Sequence, residues 1–439
     1  MGRQKRSAAL FVSMNGESVG TLKRSSTGNL EFSYCRTWLE AEKSRPISLS
    51  LPLGRTVFAG DRVENFFDNL LPDSQPIRNR IQTRFGAATN RAFDLLWHVG
   101  RDCVGALQLT PGEEIADVRM ISSRPLTDEE ISDNLRNYLT RPLGMRADDD
   151  FRISIAGAQE KTALLKRDNQ WHLPQGTTPT SHIFKLPIGQ IEHSGLDLSD
   201  SVENEWLCHL ILKAYGLPIA HTEIGVFDDI TTLIVERFDR RWAQDGTWLM
   251  RLPQEDMCQA LHVSPALKYE SDGGPGIAPI MDLLLASVKS GFDRRTFMML
   301  NLLYWLLFAI DGHAKNFSIF LLQGGDFKLT PAYDVMSAHP MIARGQLDVH
   351  KLKIAMAMSS KNKHYSVLPI LHRHWLATAK KCRYSVDEMD HVINSTLERI
   401  DHVISQVAGQ LPASFPDSVA GPILNGMKEN RDRMMRSMD

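Results

Sequence analysis

Cysteine is scarce in this chain. Cys35, Cys103, Cys208, Cys258 and Cys382 are five in 439 residues, odd in number, scattered and without a C-x-x-C pair. That excludes a disulfide framework and a thiolate zinc site, and suits reduced thiols in a cytoplasm. A long apolar run is also missing. The most apolar window, Phe297 to Ile310, has 14 residues and contains Asn301, so it is too short to span a bilayer and reads as a buried core helix. Charge of one sign is lacking too: the formal net charge is -2, which offers no global basicity for nucleic acid. The basic start Met1 to Ser7 runs into an alternating strand and is no secretory signal. Gly2 is followed by Arg at position 6, so the myristoylation pattern fails. Fifteen histidines include His364, His372 and His374, yet no H-E-x-x-H is present. The expectation is a cytoplasmic protein without a membrane role.

What is present centres on Asp311-Gly312-His313-Ala314-Lys315-Asn316, placed between the apolar run and the strand-like Phe317 to Leu322. An acid followed five positions later by an amide, on a loop between buried elements, is the layout of a phosphoryl-transfer loop. The acid there orients and deprotonates the attacking hydroxyl, and the Asn oxygen holds Mg²⁺. Phe317 to Leu322 and Phe327 to Thr330, joined by Gln323-Gly324-Gly325-Asp326, read as a hairpin. A hairpin returns the chain to its starting point, so Asn316 and Asp334 are expected close together as a two-ligand Mg²⁺ site.

The other parts lie upstream. Ala8 to Met14 and Glu17 to Leu22 flank Asn15-Gly16, a type I′ hairpin signal, with Leu30 to Tyr34 as a third strand. Asp61 is placed as the cap of a helix carrying Val63, Phe66, Phe67, Leu70 and Leu71; Thr127 with Glu130 makes a capping box. The polar stretch 140–150, with Pro142, Gly144 and three acids, is taken as the domain boundary. Beyond it, Ser154 to Lys161 is a small-residue loop whose backbone N–H groups can approach phosphate, although it matches neither G-x-x-x-x-G-K-[ST] nor G-x-G-x-x-G. Lys185 sits in an apolar strand, as a kinase lysine that reaches phosphates does. A helix with Val202, Trp206, Leu210, Ile211 and Ala214 on one face follows, and Glu203 or Glu205 is a candidate partner for Lys185. Thr231 to Phe238 reads as a buried strand before a hinge, with Glu236 and Phe238 where adenine would be met, or else as an edge strand. Ser271 to Gly276 is read as a turn, with a place near substrate as the alternative.

With those residues assembled, the chain resembles the HipA family, serine/threonine kinase toxins of bacterial toxin–antitoxin pairs. The resemblance runs over nearly the whole length. It includes Asn65 to Asp73, Gly100 to Ala106, Asp150 to Lys161, Val235 to Trp242, Leu252 to Gln259, Asp311 to Asn316 and Tyr333-Asp334. It implies an α+β, protein-kinase-like two-lobed fold: a β-rich N-terminal domain over 1–145, then a kinase-like domain over 146–439 with a mainly α-helical C-terminal lobe.

It also implies roles. Asp311 becomes the catalytic acid, and Asn316 and Asp334 the Mg²⁺ ligands. Lys185, Ile155, Ala156, Gly157, Ala158, Gln159, His313 and Lys315 become ATP-binding residues, with Glu236, Phe238 and Val104 at the adenine. Ser154 matches the family's autophosphorylated serine, where about two negative charges would expel the loop from ATP phosphates. The implied partners are a small helix-turn-helix antitoxin, operator DNA through it, and glutamyl-tRNA synthetase as substrate, leading to stalled translation and persistence. The stretch 189–200, the activation loop by this analogy, looks shorter and differently composed than in the best-known relative. Lys380 and Arg383 are offered as contacts to operator backbone, beside the reading of a solvated helix face. A small-molecule or lipid kinase, and a catalytically silent corepressor, stand as alternatives.

Overall fold

The computed structural model describes residues 8–113, 117–137, 159, 161–191 and 195–438. Ser154 and Ile155 to Ala158 lie outside the described residues, as does the stretch 140–150 expected to be the domain boundary. The chain forms two compact units. The first takes Met1–Leu186, Gly225–Ala266 and Ser318–Phe327; the second takes Pro187–Ile224, Leu267–Phe317 and Lys328–Asp439.

The first unit opens with the strands Ala8–Met14, Glu17–Arg24 and Leu30–Tyr34. Asn15 at φ 47° and Gly16 at φ 83° make the expected tight turn, since both positions of a type I′ turn need positive φ. These strands join Val57–Ala59 and Leu107–Thr110 in a five-stranded antiparallel sheet. Its inner face buries Leu10, Val12, Leu22 and Phe32 against Phe66, Phe67, Leu95 and Leu96. Asp61 is not the cap of the helix Asp61–Asp68. The cap is Gly60, and Asp61 is the first helical residue, where its charge favours the N-terminal end of the dipole. The capping box of Thr127 and Glu130 forms as expected.

A second sheet of six strands runs in the order Thr222–Phe227, Ile230–Glu236, His182–Lys185, Lys161–Arg167, Gln170–Pro174 and Ser123–Pro125. Ile230–Glu236 therefore has neighbours on both sides and is an interior strand, so the edge-strand alternative does not hold. Its core includes Ala163, Leu164, Phe184 and Ile234.

The second unit is mainly helical. Ser290–Leu307 is its central helix, buried from Phe297 to Leu307 except for Met299. Trp305 meets Trp375 of the helix His372–Lys381 and donates its indole N–H to Val367 O at 2.9 Å. The helices Val386–Glu398, Ile400–Ala408 and Asp417–Met435 complete the unit.

The helix Ser201–Ala214 departs from the face expected of it. Val202 and Ile211 are buried, but so are Asn204, Glu205, Leu207, Cys208, His209 and Leu212, whereas Trp206, Leu210 and Ala214 are only half-buried. Packing on more than one side is the reason. Asn204 bonds the main chain of Ser337 in both directions at 2.8 Å, and the helix also packs on Ile400–Ala408. Trp206 lies on the ring of Phe415 instead. Among the described residues no helix is long and apolar enough to cross a membrane, and no disulfide joins the five cysteines.

Candidate active site

The second unit carries the acid and the expected metal ligands. The helix Ser290–Leu307 ends at Phe308, which adopts the left-handed conformation and turns the chain out of the helix. Asp311 then stands exposed, with 64% of its side chain accessible, while His313, Lys315 and Asn316 are buried. A short 3-10 turn, Ala314–Asn316, leads directly into the strand Ser318–Leu321. The hairpin expected from the sequence forms, with Phe327–Leu329 as its return strand.

Asn316 is the knot of this segment. Its Nδ2 donates to Asp311 O at 3.1 Å and to Asp334 O at 3.3 Å. Tyr333 donates its hydroxyl to Lys315 O at 2.8 Å, a second tie between the same two stretches. The expected approach of Asn316 and Asp334 is thus present. Both amide hydrogens of Asn316 point to main-chain carbonyls, which leaves Oδ1, an acceptor, outside those bonds. An amide oxygen and a carboxylate are the hard oxygen donors that Mg²⁺ accepts, and Mg²⁺ usually keeps waters and substrate phosphates as its other ligands. The side chains of Asn316 and Asp334 are of the chemical type that would suit that ion. Asp334 itself has φ 62°, an uncommon backbone state for a non-glycine residue.

The first unit carries the residues expected to meet the nucleotide. Lys185 is 6% exposed and pairs directly with Leu233 on one side and Lys161 on the other. Residues directly opposite on antiparallel strands share a face. Lys161 and Lys185, both buried, therefore start from the same face of the sheet. Lys161 was not among the residues singled out from the sequence. Its place opposite Lys185 becomes legible only once the strand register is known. Gln159 donates its side-chain amide to Leu186 O at 3.0 Å. Of the two acids considered beside Lys185 in the sequence, Glu205 is buried, with His209 at 3.7 Å, and Glu203 is half-buried with its carboxyl pushed up by burial.

The expected hinge has Glu236 exposed at the end of its strand and Phe238 half-buried, edge-on to Phe320 at 5.8 Å. Between and beyond them, Arg237, Asp239 and Arg240 turn inward to a buried ion cluster. Asp102 accepts from Arg240 at 2.9 Å, Arg251 at 3.1 Å, Arg237 at 3.3 Å and the Thr180 hydroxyl at 2.8 Å. Burial opposes the charge on Asp102, but Arg240, Arg251 and Arg237 outweigh it and hold the carboxyl well below the usual range. Arg237 and Arg240 also bond Cys103 O, Arg240 bonds Gly105 O, and Gly105 N–H donates to Asp239 at 2.7 Å. The segment Asp102–Gly105 is thereby fixed to the hinge, with Val104 as its half-buried member. Gly105 is required there: its φ is 74°, and a Cβ would lie 2.7 Å from Gln254 O.

Lys380 and Arg383 are both exposed, and Arg383 pairs with Asp282 at 2.7 Å on the surface. Residues of the stretch 189–200 form the small strands Gly189–Ile191 and Leu196–Leu198.

Comparison with known proteins identifies the family. The sequence model of the HipA-like C-terminal domain matches residues 153–404, and that of the HipA N-terminal domain matches 10–110. The chain belongs to the HipA family. A relative in Sinorhizobium fredii, provisionally named the kinase Y4mE, is 31% identical over 94% of this chain and 97% of its own. The serine/threonine-protein kinase toxin HipA of Shewanella oneidensis is 28% identical over 69% of each chain. HipA of Shewanella oneidensis MR-1, solved with HipB and its operator DNA, shares the fold, with a TM-score of 0.82 at 22% identity over 97% of both chains. The HipA fold, with a β-rich N-terminal region and a helical C-terminal region, is thus the fold of this chain.

Proposed function

We propose that this chain is an ATP-dependent serine/threonine protein kinase acting as the toxin of a type II toxin–antitoxin module. Asp311 takes the proton of the attacking hydroxyl. Asn316 and Asp334 hold Mg²⁺, which supplies charge neutralisation for the transferring phosphoryl group. Lys185 binds phosphates, with Lys161 beside it; Gln159, His313 and Lys315 complete the ATP-binding set with Ile155 to Ala158. Glu236 and Phe238 meet adenine through their backbone, with Val104 against the base. Ser154 is the autophosphorylated serine, and glutamyl-tRNA synthetase is the protein substrate, so that translation stalls and cells persist in dormancy. The domains are 1–145 and 146–439, the location is cytoplasmic, and a HipB-like antitoxin carries the complex to operator DNA as a corepressor assembly. Contacts of Lys380 and Arg383 with the operator belong to that reading.

The observation that carries the proposal is the tie of Asn316 to both Asp311 and Asp334. It joins the main chain of Asp311 and of Asp334 through the Asn316 amide, which supports a phosphoryl-transfer reading of these three residues. Membership of the HipA family and the fold shared with a HipA solved on operator DNA support the rest.

The test is labelled ATP given to the purified protein, alone and with a cell extract. Label on Ser154 and on glutamyl-tRNA synthetase is expected, with both lost in Asp311→Gln while the far-ultraviolet circular dichroism stays native. Label appearing only in lipids or metabolites would sink the protein-kinase reading. Growth arrest on expression, relieved by the neighbouring repressor, tests the toxin role; no arrest from the wild type would leave only a corepressor.

A further inference from the structure

The stretch from Lys268 to Gly276, of which Ser271 to Gly276 was read from the sequence as a turn, is built against the catalytic loop. Ala314 N–H donates to Lys268 O at 3.2 Å. The ring of Tyr269 stands edge-on to His313, with centroids 4.9 Å apart at 82°. The Tyr269 hydroxyl donates to Oδ1 of Asp311. All these residues belong to the second unit.

The residues after Tyr269 fix it in place. Glu270 accepts Ala357 N–H at 2.6 Å and pairs with Lys363 at 2.8 Å, with only 9% of its side chain exposed. Two glycines close the stretch because nothing larger fits. A Cβ on Gly274 would fall 1.9 Å from Leu267 O, and one on Gly276 would fall 2.3 Å from the Glu270 carboxyl carbon. A tyrosine carried on so constrained a stretch has its ring direction set by the main chain.

Asp311 is the opposite case. Its carboxylate is largely exposed, and an exposed aspartate turns about two side-chain bonds unless something restrains it. Among the described residues its side-chain contacts fall on one side: Tyr269 on Oδ1, and His313 Nε2 at 4.0 Å from the same oxygen. Oδ2 lies outside them. The backbone beneath is pinned as well, since Asp311 O accepts both His313 N–H at 2.8 Å and the Asn316 amide.

We propose that Tyr269 is the positioning residue for phosphoryl transfer, holding Oδ1 of Asp311 so that Oδ2 faces the attacking hydroxyl. The inference rests on the kinase reading of the same site. Tyr269 keeps its own proton throughout. The substrate proton passes to Oδ2 as the new oxygen–phosphorus bond forms, and the bond from the transferred phosphorus to the bridging oxygen breaks to release ADP. Tyr269 touches neither the substrate nor the transferred group.

Two measurements on the full chain decide it. In Tyr269→Phe, kcat for transfer to the protein substrate falls by about 10- to 100-fold, the range expected when a reacting group loses its orientation. The KM for ATP and the thermal midpoint stay where they are in the wild type. An unchanged kcat, or a defect confined to the KM for ATP, overturns the inference. The second measurement needs no activity: 3-fluorotyrosine placed at 269 gives a fluorine resonance that moves in Asp311→Ala. A resonance that does not move also overturns it. A wild-type protein without phosphotransfer defeats the kinase reading, and the fluorine experiment then still decides whether Tyr269 restrains Asp311.

Discussion

The side-chain amide of Asn316 donates to the main-chain carbonyl of Asp334 at 3.3 Å, across a hairpin that separates the two residues in sequence. The same nitrogen holds the carbonyl of Asp311. One residue therefore fixes the backbone of the acid and of the carboxylate while presenting an oxygen of its own. Asn316→Ala removes both ties and that oxygen. Phosphoryl transfer is expected to fall by at least about 100-fold, the scale of losing one preorganised electrostatic partner, with a higher Mg²⁺ concentration needed for the residual rate. Initial rates over a Mg²⁺ series check this.

Gly312 has no room for a side chain. A Cβ there would lie 2.4 and 2.6 Å from two ring carbons of Tyr304, which is buried and packed against Phe317. Gly312→Ala must push the catalytic loop away from the helix Ser290–Leu307. A drop in kcat on the order of tenfold or more is expected from misplacing Asp311, with the circular dichroism spectrum of a folded protein. Wild-type kcat in this variant would show that the loop absorbs the displacement.

Asp102 balances three arginines in the first unit. Asp102→Asn leaves Arg237 and Arg240 with Asp239 and takes from Arg251 the carboxylate it pairs with. Breaking a buried charge network by removing one partner costs about 3 to 5 kcal/mol. Urea unfolding should show a loss of that size, and the variant should also bind ATP more weakly because Val104 is no longer fixed to the hinge. Unfolding at the wild-type urea midpoint would refute the role given to the cluster.

Glu255 predicts a pH dependence. Burial pushes its carboxyl from the usual 4.5 up to about 8, against the bonds it accepts from Leu49 N–H at 2.8 Å and from Ser48. Between those two values the folded protein holds a proton that the unfolded chain has released. The contribution of Glu255 is therefore fully present below pH 4.5 and is lost as pH rises through about 8. One proton limits the slope to about 1.4 kcal/mol per pH unit. Glu255→Gln keeps the neutral shape, so the wild-type stability relative to this variant should decline from pH 5 to pH 8. Parallel stability curves for the two proteins would show that Glu255 is ionised when folded.

Much of the local structure was legible without coordinates. The Asn15-Gly16 turn, the capping box of Thr127 and Glu130, and the hairpin after Asn316 each depend on residues within a few positions of one another. Asp61 missed the cap by one position because the cap is a glycine with positive φ, which carries no side-chain signal. The buried side of Ser201–Ala214 was misread because apolar spacing describes one contact face, whereas this helix is packed on more than one.

The sequence by itself determined the order of parts, from Lys185 through Glu236 and Phe238 to Asp311, Asn316 and Asp334, and with them the family. Local backbone preferences and the periods of strand and helix are properties of short stretches, so they survive in a linear reading. Tertiary structure alone decided what surrounds those parts: Tyr269 on Asp311, Tyr304 against Gly312, Lys161 opposite Lys185, and three arginines around Asp102. Each joins residues far apart in the chain through register, burial and close packing, which no window of sequence contains.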